Sequence, residues 1–218
     1  MSPLSRRPLI YLITEGRLTV DNFESELKAV LAMIGHAAKA GIPLVQIREK
    51  GIPAKLLFEL TKAAVQICRG SKTSVLVNGR GDVAVEANAD GVHLPENGVP
   101  VGAVRRIIPN GFLIGVSCHD ISSAMKAKTD GADFVTMSPV FDTPRKGTPV
   151  GLEMIADCVR QLDEFPVIAL GGINEDNIDA VINTGAAGFA AIRMLNDEST
   201  LYRLGVRYCG ELQNDSQL

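Results

Sequence analysis

Val167-Ile168-Ala169-Leu170-Gly171-Gly172-Ile173-Asn174 reads as a short buried strand, a glycine pair, and the start of a helix at Asn174 with Glu175 and Asp176 in its first turn. A second apolar run, Gly188-Phe189-Ala190-Ala191-Ile192-Arg193, follows shortly after it. Two strands ending side by side, one of them in Gly-Gly, present backbone N–H groups with no side chain in the way. Loops after the seventh and eighth strands of a βα-barrel hold phosphate in this manner. A Gly-Gly pair alone marks only a tight turn. Its place near the end of a repeating strand–helix chain gives it the second meaning.

Upstream, the same alternation of short apolar runs and helical patterns recurs. Residues 9–14, 44–48, 74–77, 91–94, 112–117 and 134–137 are predicted strands of the continuous, buried kind. Between them, Phe23, Leu27, Val30, Leu31, Ile34 and Ala38 repeat at helical spacing, with Asp21 or Asn22 available as cap and Gly41 as stop. Pro53 opens a second helix, Asp82 a short third, residues 101–108 a fourth, and Asp120 caps a fifth. Residues 152–162, 177–183 and those from about 200 onward complete the set. Eight such units in 218 residues predict a single α/β domain over residues 1–218, a compact (βα)8 TIM barrel with its active site at the strand C-terminal ends. Residues 138–150 form the longest loop, of the kind that serves as an active-site flap.

Composition agrees. Apolar residues make up 46% of the chain and aromatic residues only 5%, so small aliphatic side chains must fill the core. A net charge of -3 supplies no global basic field for nucleic acid. No apolar run approaches the roughly 20 residues that cross a bilayer, and residues 1–8 lack a signal-peptide core. Cys68, Cys118, Cys158 and Cys209 are far apart and form no CxxC pair, which fits reduced thiols in a cytoplasmic protein. Oligomeric state is left open, a homo-oligomer included.

Strand C-termini face a common mouth. There the sequence places Thr14 and Glu15, Gln46, Arg48 and Lys50, Asn78 and Arg80, His93, Ser117 and His119. Thr143, Arg145 and Lys146 lie on the flap, and Gly171, Gly172, Ile192 and Arg193 close the ring. Alternation puts Gln46, Arg48 and Lys50 on one side of the second strand. A mouth this rich in positive charge suits a small anionic substrate bearing at least one phosphate. Of the three histidines, His36 sits mid-helix and reads as a packing residue. His93 is equally readable as structural or functional. His119 is the candidate general acid–base, since imidazole exists in both protonation states near neutral pH. Cys118, adjacent to it, is expected to face the helical layer. Carboxylates for a metal are scarce: Glu96 stands alone after the fourth strand, and Gly79 and Gly98 occupy loop positions that a carboxylate could have used.

Six ordered blocks carry a resemblance: Gln46-Ile47-Arg48-Glu49-Lys50, Val77-Asn78-Gly79-Arg80, Ala89-Asp90-Gly91-Val92-His93-Leu94-Pro95, Gly115-Val116-Ser117-Cys118-His119, Gly131-Ala132-Asp133-Phe134-Val135 and Gly171-Gly172-Ile173. Between about residue 9 and residue 195 the chain resembles the thiamine phosphate synthase/TenI superfamily of (βα)8 barrels. Synthases of that superfamily bind magnesium through an Asn-Asp after strand three and a Gly-Gln-Glu-Asp-like run after strand four. Here those positions read Asn78-Gly79 and Pro95-Glu96-Asn97-Gly98, without the metal aspartates. The wording resembles the TenI branch of thiazole tautomerases instead, although His93 and part of the flap are synthase-like, and Arg193 departs from both branches. The resemblance implies an isomerase that aromatises a carboxylated thiazole phosphate without metal or organic cofactor. His119 would carry the proton and Ser117 orient the substrate. Gln46, Arg48, Lys50, Asn78, Thr143 and Lys146 would bind it, and Gly171, Gly172, Ile192 and Arg193 would hold its phosphate. Two alternatives stand beside it. One is a magnesium-dependent thiamine phosphate synthase, a transferase joining hydroxymethylpyrimidine diphosphate to thiazole phosphate. The other is a non-catalytic thiazole-phosphate binder.

Overall fold

The structure is a computed structural model that describes residues 3–5, 8–144 and 146–210. Eight strands and eight helices alternate among these residues. They are β1 (Leu9–Ile13), α1 (Phe23–Lys39), β2 (Leu44–Ile47), α2 (Ala54–Cys68), β3 (Ser74–Asn78), α3 (Gly81–Glu86), β4 (Gly91–Leu94) and α4 (Val101–Arg105). Then come β5 (Leu113–Cys118), α5 (Ile121–Thr129), β6 (Phe134–Met137), α6 (Gly151–Leu162), β7 (Val167–Leu170), α7 (Ile178–Asn183), β8 (Gly188–Ala191) and α8 (Glu198–Cys209). All strand pairings are parallel, and β8 returns to β1 to close the barrel.

The two-residue period of a strand sorts the core into two parts. In β1, Leu9, Tyr11 and Ile13 join Leu44, Leu76, Leu113, Phe134, Ile168 and Ala190 in one cluster. These positions point into the barrel. Their neighbours Ile10 and Leu12 join Val45, Val75, Val92, Ile114, Val135 and Phe189 in a second cluster with the helices. Cys118 belongs to that outer cluster, as its strand parity predicts. Cys68, Cys118 and Cys158 are buried thiols.

β4, β6 and β7 have the predicted bounds, and β5 is displaced by one residue. Asp120 caps α5, its carboxylate accepting from the Ser123 N–H in a reciprocal capping box. Three expectations are corrected. The helix after β7 begins at Ile178, not Asn174. The Asn174 side chain instead accepts from the N–H groups of Asp176 and Asn177, at 3.0 and 3.2 Å, and folds a turn. β8 ends at Ala191, so Ile192 and Arg193 lead into a 3-10 turn at Met194–Asn196. Asn22 precedes α1 without capping it, because its Oδ1 accepts from the Thr19 N–H at 2.7 Å.

Closure is tight where β8 meets β1. A Cβ on Gly188 would stand 1.9 Å from the Leu9 carbonyl oxygen. Gly188→Ala is therefore expected to cost about 3 kcal/mol or more in urea unfolding. Gly147→Ala, where a Cβ meets nothing within 4 Å, is expected to stay within about 0.5 kcal/mol of the parent.

Candidate active site

The C-terminal ends of the strands open on a cavity of about 390 Å³. β2 and the residues after it contribute Gln46, Arg48 and Lys50, β3 contributes Asn78, and β4 His93. β5 and the residue after it contribute Ser117 and His119, the loop after β6 Thr143 and Lys146, and the ends of β7 and β8 Gly171, Gly172, Ile192 and Arg193. Three residues assigned to the mouth by sequence do not line this cavity. Glu15 pairs with Arg17 at 2.6 Å, and Arg80 pairs with Asp82 at 2.5 Å. The Thr14 hydroxyl accepts from the Arg48 N–H at 2.9 Å. Arg145 lies outside the described residues.

The glycine pair serves a close approach as well as a turn. Gly171 and Gly172 have φ of 99° and 69°. A Cβ on Gly171 would stand 2.8 Å from Pro139 Cα, and one on Gly172 would stand 2.6 Å from Phe141 Cβ. The loop after β6 is laid against this turn. Val140 N–H donates to the Leu170 carbonyl and Phe141 N–H to the Gly171 carbonyl, both at 3.0 Å. The Asn177 amide donates to the Gly172 carbonyl at 3.0 Å. Both glycine carbonyls are thereby committed. The pairing of Leu170 with Ala190 sets this turn beside the one that carries Ile192 and Arg193. The N-terminus of α7 lies further along the chain, at Ile178, whereas the 3-10 turn capped by Arg193 starts at the cavity wall.

Positive charge collects on the rim. The Lys50 ammonium has its pKa pushed down, first by Arg48, then by burial and by Lys146. The only carboxylate among the cavity's described residues is Glu96, 3.9 Å from His119 Nε2. His119 Nδ1 donates to the Ser138 carbonyl at 2.5 Å, which ties the strand-five end to the loop after β6. Between Arg48 and Lys50, Glu49 turns away from the cavity and is buried. Its carboxylate accepts from the N–H groups of Gly16 and Leu18 at 3.1 and 2.9 Å, holding the β1–α1 loop against the end of β2.

Sequence reasoning placed Gln46, His93 and Ser117 at the mouth but missed Tyr11, Thr136 and the hydrogen bonds that join them into the floor of the cavity. The Gln46 amide donates to the Tyr11 hydroxyl at 3.1 Å, which lies 3.4 Å from His93 Nδ1. His93 Nε2 is 3.0 Å from Ser117 Oγ. The signal was present in Tyr11, the one hydroxyl on the inward face of an otherwise apolar strand. Burial pushes the His93 pKa down to about 3.

The fold and cavity define a (βα)8 barrel with an anion-receptive mouth. A model of the thiamine monophosphate synthase family matches residues 10–195. The chain is 41% identical over 186 residues to a putative thiamine-phosphate synthase of Geobacter sulfurreducens, covering 84% of each chain. It is also 41% identical over 186 residues to the thiamine-phosphate synthase of Methanoculleus marisnigri, covering 84% of this chain and 85% of that one. Thiamine phosphate pyrophosphorylase from Pyrococcus furiosus superposes with a TM-score of 0.77 at 30% identity, over 92% of this chain and 96% of that one. The chain belongs to the thiamine monophosphate synthase family, enzymes of thiamine biosynthesis.

The superfamily resemblance holds, and the branch assignment is corrected. The two sequence relatives are named as thiamine-phosphate synthases and the solved one as a thiamine phosphate pyrophosphorylase, which overturns the thiazole tautomerase reading. The proton shuttle expected of His119, and the orienting role expected of Ser117 in that isomerisation, fall with it. No helix among the described residues is long and apolar enough to cross a membrane.

The His93 environment has a thermodynamic consequence. Its folded pKa of about 3 lies below the ordinary 6.5, so below that value the unfolded chain binds the extra proton. Stability from this group is whole above about pH 6.5 and is lost as pH falls toward about 3. The urea midpoint is expected to drop between pH 7 and about pH 4.5, and His93→Gln to show a shallower drop over the same window.

Proposed function

We propose that this chain is a transferase that joins a pyrimidine diphosphate to a thiazole phosphate, giving thiamine phosphate and inorganic diphosphate. The observation that carries this reading is the pair of anion-receptive regions in one cavity. Arg48, Lys50 and Lys146 concentrate charge in one, as the depressed Lys50 pKa reports. The glycine turn and Arg193 form the other. The named relatives support the same assignment.

In the step itself, the bond from the pyrimidine methylene carbon to the diphosphate oxygen breaks, and its electron pair leaves with that oxygen. The lone pair of the thiazole ring nitrogen forms the new C–N bond. No proton is transferred, so no general base is required. Arg48, Lys50 and Lys146 face the charge that grows on the leaving oxygens. Loss of one such contact typically costs about 10²–10³-fold in rate. Gln46, Asn78, Ser117 and Thr143 supply hydrogen bonds around the pyrimidine diphosphate. Gly171, Gly172, Ile192 and Arg193 hold the phosphate of the thiazole.

Magnesium, which the synthase pattern implies, does not fit the residues present. No group of three or more His, Cys, Asp or Glu that could hold a metal exists among the described residues. Glu96 is the sole carboxylate among the described residues that line the cavity. At Gly98, a Cβ would already stand 2.9 Å from the Pro95 carbonyl oxygen. No step above is routed through a metal.

Purified protein given both substrates is expected to release inorganic diphosphate and form thiamine phosphate. Ligand binding without turnover would replace the transferase with a thiazole-phosphate binder. Inorganic diphosphate is expected to bind in a chelator with a Kd within about threefold of that in magnesium, and Lys146→Ala to weaken it about tenfold. Diphosphate binding that vanishes in chelator would show that the cations do not suffice.

Arg193→Ala is expected to raise the KM for the thiazole phosphate about tenfold, equivalent to ~1.4 kcal/mol, and to leave that for the pyrimidine diphosphate unchanged. Equal rises in both would remove Arg193 from the phosphate subsite.

A further inference from the structure

Under the mouth, five polar side chains meet inside the barrel. Tyr11, Gln46, His93 and Thr136 are each at most 3% exposed. Such groups must satisfy one another, since bulk water does not reach them. Their donors and acceptors can therefore be counted. The Gln46 Nε2 donates to the Tyr11 hydroxyl at 3.1 Å. An amide nitrogen accepts nothing, so the single phenolic proton cannot return along that contact. Its other recorded partner is His93 Nδ1, at 3.4 Å. If Nδ1 accepts, the neutral ring carries its hydrogen on Nε2. That nitrogen lies 3.0 Å from Ser117 Oγ and 3.4 Å from Thr136 Oγ1. The ring is closely confined: a Cβ on Gly115 would stand 2.6 Å from His93 Nδ1.

We infer that Tyr11 and His93 are positioning residues that give the hydrogen bonds beneath the mouth one direction, from Gln46 through Tyr11 and His93 to Ser117. His93 is held as its Nε2–H tautomer and Ser117 Oγ accepts from it. The Ser117 proton is then directed away from the ring and into the cavity. Ser117 becomes a donor toward the ligand and is selective for a ligand atom that has a lone pair and no hydrogen. On the transferase reading, on which the ligand's identity rests, such an atom belongs to the pyrimidine diphosphate. Burial supports the arrangement by keeping the imidazole neutral and the phenol protonated, the Tyr11 pKa being raised.

The ring-nitrogen 15N shifts of His93, measured on the unmodified protein at pH 7 without ligand, report the tautomer directly. The expected result is a protonated Nε2 and a bare Nδ1. A protonated Nδ1 would overturn the inference and would mean that Gln46 presents its carbonyl oxygen to Tyr11, reversing every bond in the chain. A second arm reads the consequence with inorganic diphosphate as probe. Tyr11→Phe is expected to weaken its binding about fivefold when Ser117 is present, and less than twofold in a Ser117→Ala background. An equal loss in both backgrounds would mean that Tyr11 acts through packing alone, and would overturn it. The Nε2–H tautomer together with absent turnover would leave this inference standing and sink the transferase. Turnover together with the Nδ1–H tautomer would do the reverse.

Discussion

Every second strand residue must fit inside a closed ring, and that steric limit governs the rest of the molecule. The ring has room for Tyr11, Phe134 and His93 only because other inward positions carry no side chain. At Gly115, a Cβ would meet Phe134 Cζ at 2.3 Å, and at Gly91 it would meet the Leu113 carbonyl oxygen at 2.6 Å. The three rings pack with centroids 5.7 to 5.8 Å apart. Large and small residues thus alternate around the barrel, as close packing demands. The floor of the cavity is the upper surface of that packing, so its hydrogen-bonding groups inherit the rigidity of the core.

What could be read from sequence followed from local rules. Continuous apolar strings mark strands covered on both faces, and β4, β6 and β7 were legible to the residue. Asp120 was legible as a cap because its rule spans three residues. The turn at Asn174 was not, since Asn side chains serve turns and helix starts alike. The Tyr11–His93 contact joins residues 82 apart in the chain. No periodicity announces such a contact. Arg80 was misplaced for a related reason: it follows a strand end, yet a carboxylate two residues away captures it.

The branch assignment failed on a different ground. Two absent aspartates point to one branch, while the resemblance over residues 10–195 points to the other. Their absence speaks to how charge is balanced, not to which bond is made. A diphosphate needs compensating positive charge, and a metal or a set of fixed cations can supply it. The net charge of -3 hides this, because local charge at a concave, partly desolvated mouth decides which ions enter.

The strand end around Glu49 carries a last consequence. Arg48 and Lys50 line the cavity, while the residue between them faces outward onto the Gly16 and Leu18 amides. The three side chains behave like a reading frame. Inserting one residue between Ile47 and Arg48 would shift the parity, turn the carboxylate toward the mouth and both cations away from it. The local charge would change sign although the composition there stayed almost the same. At this point the chain's length, counted residue by residue, is as much a determinant of ligand choice as the identity of any side chain.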